Sequence, residues 1–139
     1  MQKILVAVDG SEHALKAVQH VARRAADGGV EVHLVNVQYP VHGSVGSFVD
    51  ASQIKAYHKE EGEKIIAPAR ELLEKANVPY QHGLFVGEPA EVITRFAKEQ
   101  GCDEIVIGTR GLGGISSLLV GSVATKILHL ATVPVLLVK

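Results

Sequence analysis

Ile4-Leu5-Val6-Ala7-Val8-Asp9-Gly10-Ser11 carries the deciding pattern: a β-prone apolar run stops at an Asp-Gly turn and passes at once to a helix-capping serine. A strand with one wet face alternates apolar and polar residues, whereas a strand covered on both faces is apolar throughout, as in parallel sheets. Residues 4–8 therefore read as a parallel strand. Ser11 suits an N-cap because its hydroxyl accepts from an amide of the first turn. Ala14, Leu15, Val18, Val21, Ala22 and Ala25 follow at helical spacing until Asp27-Gly28-Gly29 ends the pattern.

The rest of the chain repeats this alternation. Val30 to Val37 is a second β-prone run, and Gln38 to Phe48, rich in Gly, Ser and His, has neither period and reads as an exposed loop. From about Asp50 to Ala76 the pattern is helical, with Ile54, Tyr57, Ile65, Ile66, Ala69, Leu72 and Leu73 on one stripe. Pro68 is expected to kink this helix, since it lacks an N–H and its ring meets the carbonyl of Lys64. Tyr80 to Val86 gives a third strand, and Gly87-Glu88-Pro89 places proline where the first turn of a helix tolerates it. That helix should run to about Gln100. A short strand from Glu104 to Ile107 ends at Gly108, a helix spans about Ser122 to Leu130, and Val133 to Val138 forms the last strand. Five strands alternating with four helices imply a doubly wound α/β fold with a parallel sheet and helices on both faces. Residues 1–139 are expected to form one domain.

Composition narrows the function. Apolar residues are 47% and charged residues 21%, ample for a packed core. The net charge is -1 with basic and acidic residues intermixed, which lacks the basic footprint of a nucleic-acid or anionic-membrane binder. The apolar segment after Met1-Gln2-Lys3 is too short for a membrane span and lacks the features of a signal peptide, so a cytoplasmic location is expected. Cys102 is the only cysteine, which excludes an internal disulfide and favours a buried thiol beside a strand.

The segment Gly108-Thr109-Arg110-Gly111-Leu112-Gly113-Gly114-Ile115-Ser116-Ser117-Leu118-Leu119-Val120-Gly121-Ser122 leaves one strand and enters one helix. Its glycines let backbone amides approach an anion, and at Gly121-Ser122 the positive end of the next helix dipole would face the same place. A phosphate fits, although glycines that only let a turn pass close to the sheet would look the same. No Walker A lysine follows the second glycine, and G-x-G-x-x-G is absent after the first strand.

Gly108-x2-Gly111-x9-Gly121-Ser122 resembles the nucleotide-binding signature of the ATP-binding branch of the universal stress protein family. The resemblance extends to residues 4–11, to Gly87-Glu88-Pro89-Ala90 and to Pro134-Val135-Leu136-Leu137-Val138. It implies the sheet order 3-2-1-4-5, with a topological switch between strands one and four that brings Asp9 beside Gly108. It implies further that Ala7, Val8 and Asp9 border the ribose and adenine of ATP, ADP or AMP, and that the backbone of Val37 bonds the adenine edge. Ile107, Gly108 and Gly111 would pass under the ribose and first phosphates, with charge from Arg110. Amides of Gly121, Ser122 and Val123, with the Ser122 hydroxyl, would hold the distal phosphates. Asp9 would hold Mg²⁺ through water or, alternatively, only close the turn into the first helix.

No catalytic residue is assigned, because the loop supplies donors but no clear base or dedicated lysine. Lys126, one turn beyond Ser122, reads as an exposed helix charge, with phosphate contact as the lesser alternative. The seven histidines show no HExxH or paired Cys/His spacing, and His13 and His20 read as a surface feature. Asp9 alone does not supply the acidic cluster of a phosphoacceptor receiver domain. The resemblance implies a nucleotide-dependent regulatory or stress-response protein, forming a homodimer through strand five (133–138) and acting on an unidentified protein partner. A slow Mg-dependent ATPase and a nucleotide-independent dimeric scaffold are the alternatives.

Overall fold

In the computed structural model, described for residues 1–41, 50–109 and 121–139, the apolar runs form the strands of one sheet. The elements are β1 (Gln2–Ala7), α1 (Glu12–Arg24), β2 (Val30–Gln38), α2 (Ala51–Lys75), β3 (Tyr80–Val86), α3 (Pro89–Glu99), β4 (Glu104–Gly108), α4 (Ser122–Leu130) and β5 (Val135–Val138). A short 3-10 turn, Ala25–Asp27, follows α1. Every pairing is parallel and the order is β3-β2-β1-β4-β5, as the resemblance implied.

Alternate residues of each strand serve opposite faces. Ile4, Val6, Val32 and Leu34 pack with Val18 and Val21 of α1 and with Ile66, Ala69 and Leu73 of α2. Leu5, Val35, Ile105 and Ile107 pack with Ile93 and Ala97 of α3 and with Ala124 and Ile127 of α4. Two covered faces explain why the strands are continuously apolar in sequence. Each fully buried Leu or Ile contributes about 1.5–3 kcal/mol over leaving it in water. Cys102 belongs to the second of these clusters and is 4% exposed. Burial pushes its thiol pKa up, away from the reactive thiolate.

Three details depart from the sequence reading. β1 begins two residues before the run 4–8 and ends one residue short of it, and the Val8 amide continues its ladder by donating to the Val35 carbonyl at 2.8 Å. β5 starts at Val135 rather than Val133 because Pro134 has no N–H to give, although its carbonyl accepts from Ile105 at 3.0 Å. On α2 the buried row is His58, Gly62, Ile66, Ala69 and Leu73, so Tyr57 is not part of the core stripe. Pro68, where a kink is expected, sits on the exposed side of α2, and the helix runs through it from Ala51 to Lys75. No helix among the described residues is long and apolar enough to cross a membrane.

The sheet order reverses between β1 and β4. α1, which follows β1, and α4, which follows β4, pack on opposite faces of the sheet, and the switch point above the carboxyl ends of these strands is where ligands bind in open α/β sheets.

Candidate functional site

A crevice of about 460 Å³ lies at that switch point, within the usual range for small-molecule sites. Ala7, Val8, Val37, Ile107 and Gly108 reach it from the strand ends, Asp9 from the turn into α1, and Gly121, Ser122 and Val123 from the start of α4. The structure thus brings these expected site residues to one cavity. Arg110 and Gly111 lie outside the described residues.

The floor of the crevice exposes backbone for a geometric reason. The Val35 carbonyl accepts from Val8 on the β1 side, whereas the Gln38 carbonyl accepts from Gly87 on the β3 side. Backbone groups alternate between neighbouring strands along the chain, so Val37 aims its N–H and C=O the same way as Val35. There β1 has already ended, at Ala7. The adjoining turn is held by Asn36, 2% exposed, whose Nδ2 donates to the Val8 carbonyl at 2.8 Å.

Asp9 uses one carboxylate oxygen to accept the Ser11 amide at 2.9 Å, and so closes the turn into α1. Its other oxygen has no partner among the described residues. Those residues contain no group of three or more His, Cys, Asp or Glu able to hold a metal. A Mg²⁺ ion at Asp9 would thus need phosphate oxygens and water for most of its coordination.

Gly108 has a packing reason to be glycine. An added Cβ would stand 2.2 Å from the His13 carbonyl oxygen, so the missing side chain lets the first turn of α1 close onto β4. The same close approach brings Asp9 next to the end of β4.

The four helices begin in different ways. Ser11 Oγ accepts from the Ala14 amide at 3.1 Å and caps α1. Asp50 and Gln53 form a reciprocal capping box on α2, at 2.8 and 3.0 Å. The Glu88 carboxylate accepts from Ala90 at 3.3 Å and from Glu91 at 2.8 Å and so caps α3. The N-cap of α4 is Gly121, which has no side chain to offer. Among the described residues nothing accepts from the amides of Ser122, Val123 and Ala124. All three of these residues line the crevice. Uncapped first-turn amides and the positive dipole end are the features that suit an anion.

Lys126 does not line the crevice. Its Nζ reaches Glu88 at 3.3 Å and Glu91 at 3.4 Å, and the Glu88 contact raises its pKa. Partial desolvation works against ionised Glu88, but the amides of Glu91 and Ala90 and the Lys126 ammonium outweigh it and hold the carboxylate below its ordinary range. The side chain is exposed, as the sequence reading expected, but its pairing with Glu88 and Glu91 depends on how α3 and α4 are packed and was not read from the sequence.

Opposite α4 the wall is aromatic. Tyr39, Tyr57 and His58 line the crevice there, and the sequence reading assigned none of them to a site. The Gln38 side chain donates to the His58 carbonyl at 2.7 Å, and His58 Nε2 lies 3.3 Å from the Tyr39 carbonyl. Gly62 permits this approach, since a Cβ there would lie 3.1 Å from the Gln38 side-chain nitrogen. Tyr57 was hidden by its place in a helical pattern, and only the unusual His58 and Gly62 in the buried row signalled the true face.

Residues 1–139 match the universal stress protein family. Universal stress protein YxiE of Bacillus subtilis is 33% identical, with 99% of this chain and 98% of that protein aligned. Among solved structures, protein MJ0577 of Methanocaldococcus jannaschii has a TM-score of 0.83 at 30% identity, covering 99% of this chain and 95% of that one. The universal stress protein from Archaeoglobus fulgidus in complex with dAMP has a TM-score of 0.73 at 27% identity, covering 100% and 98%.

Proposed function

This chain belongs to the universal stress protein family, and from that premise we propose that its crevice binds an adenine nucleotide, ATP or the related ADP or AMP. The observation that carries the reading is the start of α4, the one helix beginning among the described residues without a side-chain cap, turned toward the crevice. The phosphates lie against the amides of Ser122 and Val123, with Gly121 leaving room and the Ser122 hydroxyl as a further donor. The Val37 backbone meets the adenine edge, while Ala7, Val8, Asp9, Ile107 and Gly108 surround the ribose. The partnerless oxygen of Asp9 would hold a Mg²⁺ ion through water, and the ion would offset phosphate charge. The dAMP bound by the Archaeoglobus fulgidus protein is of the same ligand class.

The biological reading is a nucleotide-dependent regulatory protein. A partner that prefers the nucleotide-bound form is selected by ligand, and the coupling is reciprocal. β5 stands at the sheet edge with Val135, Leu136, Leu137 and Val138 half-buried, which supports pairing with a second copy of the chain along that edge.

The test is to denature freshly purified protein, identify any released nucleotide by mass spectrometry, and titrate nucleotide-stripped protein with ATP, ADP and AMP, with and without Mg²⁺. The expected result is one adenine nucleotide site per chain. No released nucleotide together with no heat of binding for any of the three contradicts the reading.

A further inference from the structure

The aromatic residues are few: three tyrosines, three phenylalanines and no tryptophan. Most of those described have structural work. Phe85 and Phe96 pack against each other with ring centroids 5.0 Å apart, and the Tyr80 hydroxyl bonds Arg70 and Glu74. Tyr39 and Tyr57 differ, being 60% and 54% exposed although both line a concave crevice. Neither hydroxyl has a partner among the described residues. Apart from the edge contact of Tyr57 with the His58 ring, at 5.5 Å, their faces have no aromatic partner there.

Exposed aromatic rings gain nothing from water, yet the backbone that carries this pair is tied down. The two hydrogen bonds between Gln38, His58 and Tyr39 join the end of β2 to α2, and buried His58 fixes the turn of helix that carries Tyr57. The backbone that carries both rings is therefore fixed, on the α2 side of a crevice whose lining also includes the start of α4 and Val37. A planar heteroaromatic base is the ligand group that such a wall suits, since every base offers a π-face to stack.

We propose that Tyr57, with Tyr39 beside it, is the base-stacking residue of this crevice and sets its preference for ligands that carry a nucleobase. This rests on the nucleotide reading above and adds a division of labour to it. The α4 amides take phosphate, the Val37 backbone reads the base edge, and the tyrosine wall takes the base face. ATP, ADP and AMP share one base, so the wall contributes equally to all three, and because stacking is tolerant of base identity it leaves discrimination among bases to Val37.

The test compares wild type with Tyr57→Ala, Tyr57→Leu and Tyr57→Phe in calorimetric titrations with ATP and AMP, with thermal midpoints as a control for folding. Tyr57→Ala and Tyr57→Leu should each weaken both nucleotides by about tenfold, and Tyr57→Phe should stay within about twofold because the ring remains. Thermal midpoints should change little, since Tyr57 lies outside the core. Leucine separates stacking from simple bulk. The proposal is overturned if the leucine or alanine variant binds like wild type, or if Tyr57→Phe loses as much as Tyr57→Ala. Wild-type protein that binds no nucleotide defeats the crevice reading itself and this assignment with it, whereas wild-type binding that Tyr57→Ala leaves intact defeats this assignment alone.

Discussion

α3 and α4 lie on the same side of the sheet, both begin at its carboxyl end, and both start after a glycine, at Gly87-Glu88 and at Gly121. Their first turns are finished differently. Glu88 folds its carboxylate onto the amides of Ala90 and Glu91, and Lys126 neutralises that carboxylate from the neighbouring helix. At α4 the corresponding position is Gly121, and the amides behind it face the crevice without a protein acceptor among the described residues. One helix end is completed by its own chain, and the other opens onto the cavity with its amides unfilled, which is what the proposed phosphate contact rests on.

The most severe way to break this contrast is to close the open end. Gly121→Asp places a carboxylate at the N-cap, and the backbone there, at φ -55, accepts a side chain without strain. ATP affinity should fall by about a hundredfold or more because like charges are juxtaposed. Thermal stability should rise instead, by about a few tenths of a kcal/mol, the usual advantage of aspartate over glycine as a cap. Calorimetry and thermal melts read the two opposite signs in one variant, and a loss of both stability and affinity would mean only a damaged fold.

The reverse operation opens the closed end. Glu88→Ala should cost about 1 kcal/mol of stability by urea denaturation and leave ATP affinity within about twofold of wild type. A large affinity loss there would mean that α3 takes part in binding and would dissolve the contrast.

A smaller effect is the acid dependence of that cap. Glu88 is held below the ordinary carboxylate range in the folded protein, so its contribution is complete above the unfolded-chain value and is lost as pH falls through the lower folded value. Across that window wild type should lose urea resistance more steeply than Glu88→Gln, whose amide does not titrate. Parallel curves would show that the cap is not ionised in the way described.

The smallest change is expected from Lys126→Met. The ammonium is solvent-exposed and its pairs with Glu88 and Glu91 are screened. Thermal midpoint and ATP affinity should both stay close to wild type. A marked affinity loss would instead place Lys126 on phosphate.

Much of this contrast is legible in the sequence. Pro89 and Ser122 mark two helix starts, and residues 80–86 and 122–130 are strand and helix within the bounds that the pattern sets. Turn residues and breaks in periodicity mark the strand end at Asp9 and the helix start at Gly121 locally, whereas a role in nucleotide binding for these residues and for Val37 is implied only by the family resemblance. The Glu88 to Lys126 pairing, the burial of His58 and the tyrosine wall are not legible. Each depends on how one helix is rotated against another element, and helical spacing alone does not separate Tyr57 from a core position. Gly108 shows the same limit from the other side. Its glycine suggests approach to an anion, yet the backbone of α1 is what stands where a Cβ would be.

The central claim is most directly tested by the backbone amide resonances of the first turns of α3 and α4 in a ¹⁵N-labelled sample titrated with ATP and Mg²⁺. Ser122 and Val123 are expected to shift strongly and to gain protection from hydrogen exchange, while Ala90 and Glu91, already bonded to Glu88, stay nearly still. Unmoved amides at Ser122 and Val123 in a nucleotide-saturated sample, or equal shifts at both helix starts, would contradict the account.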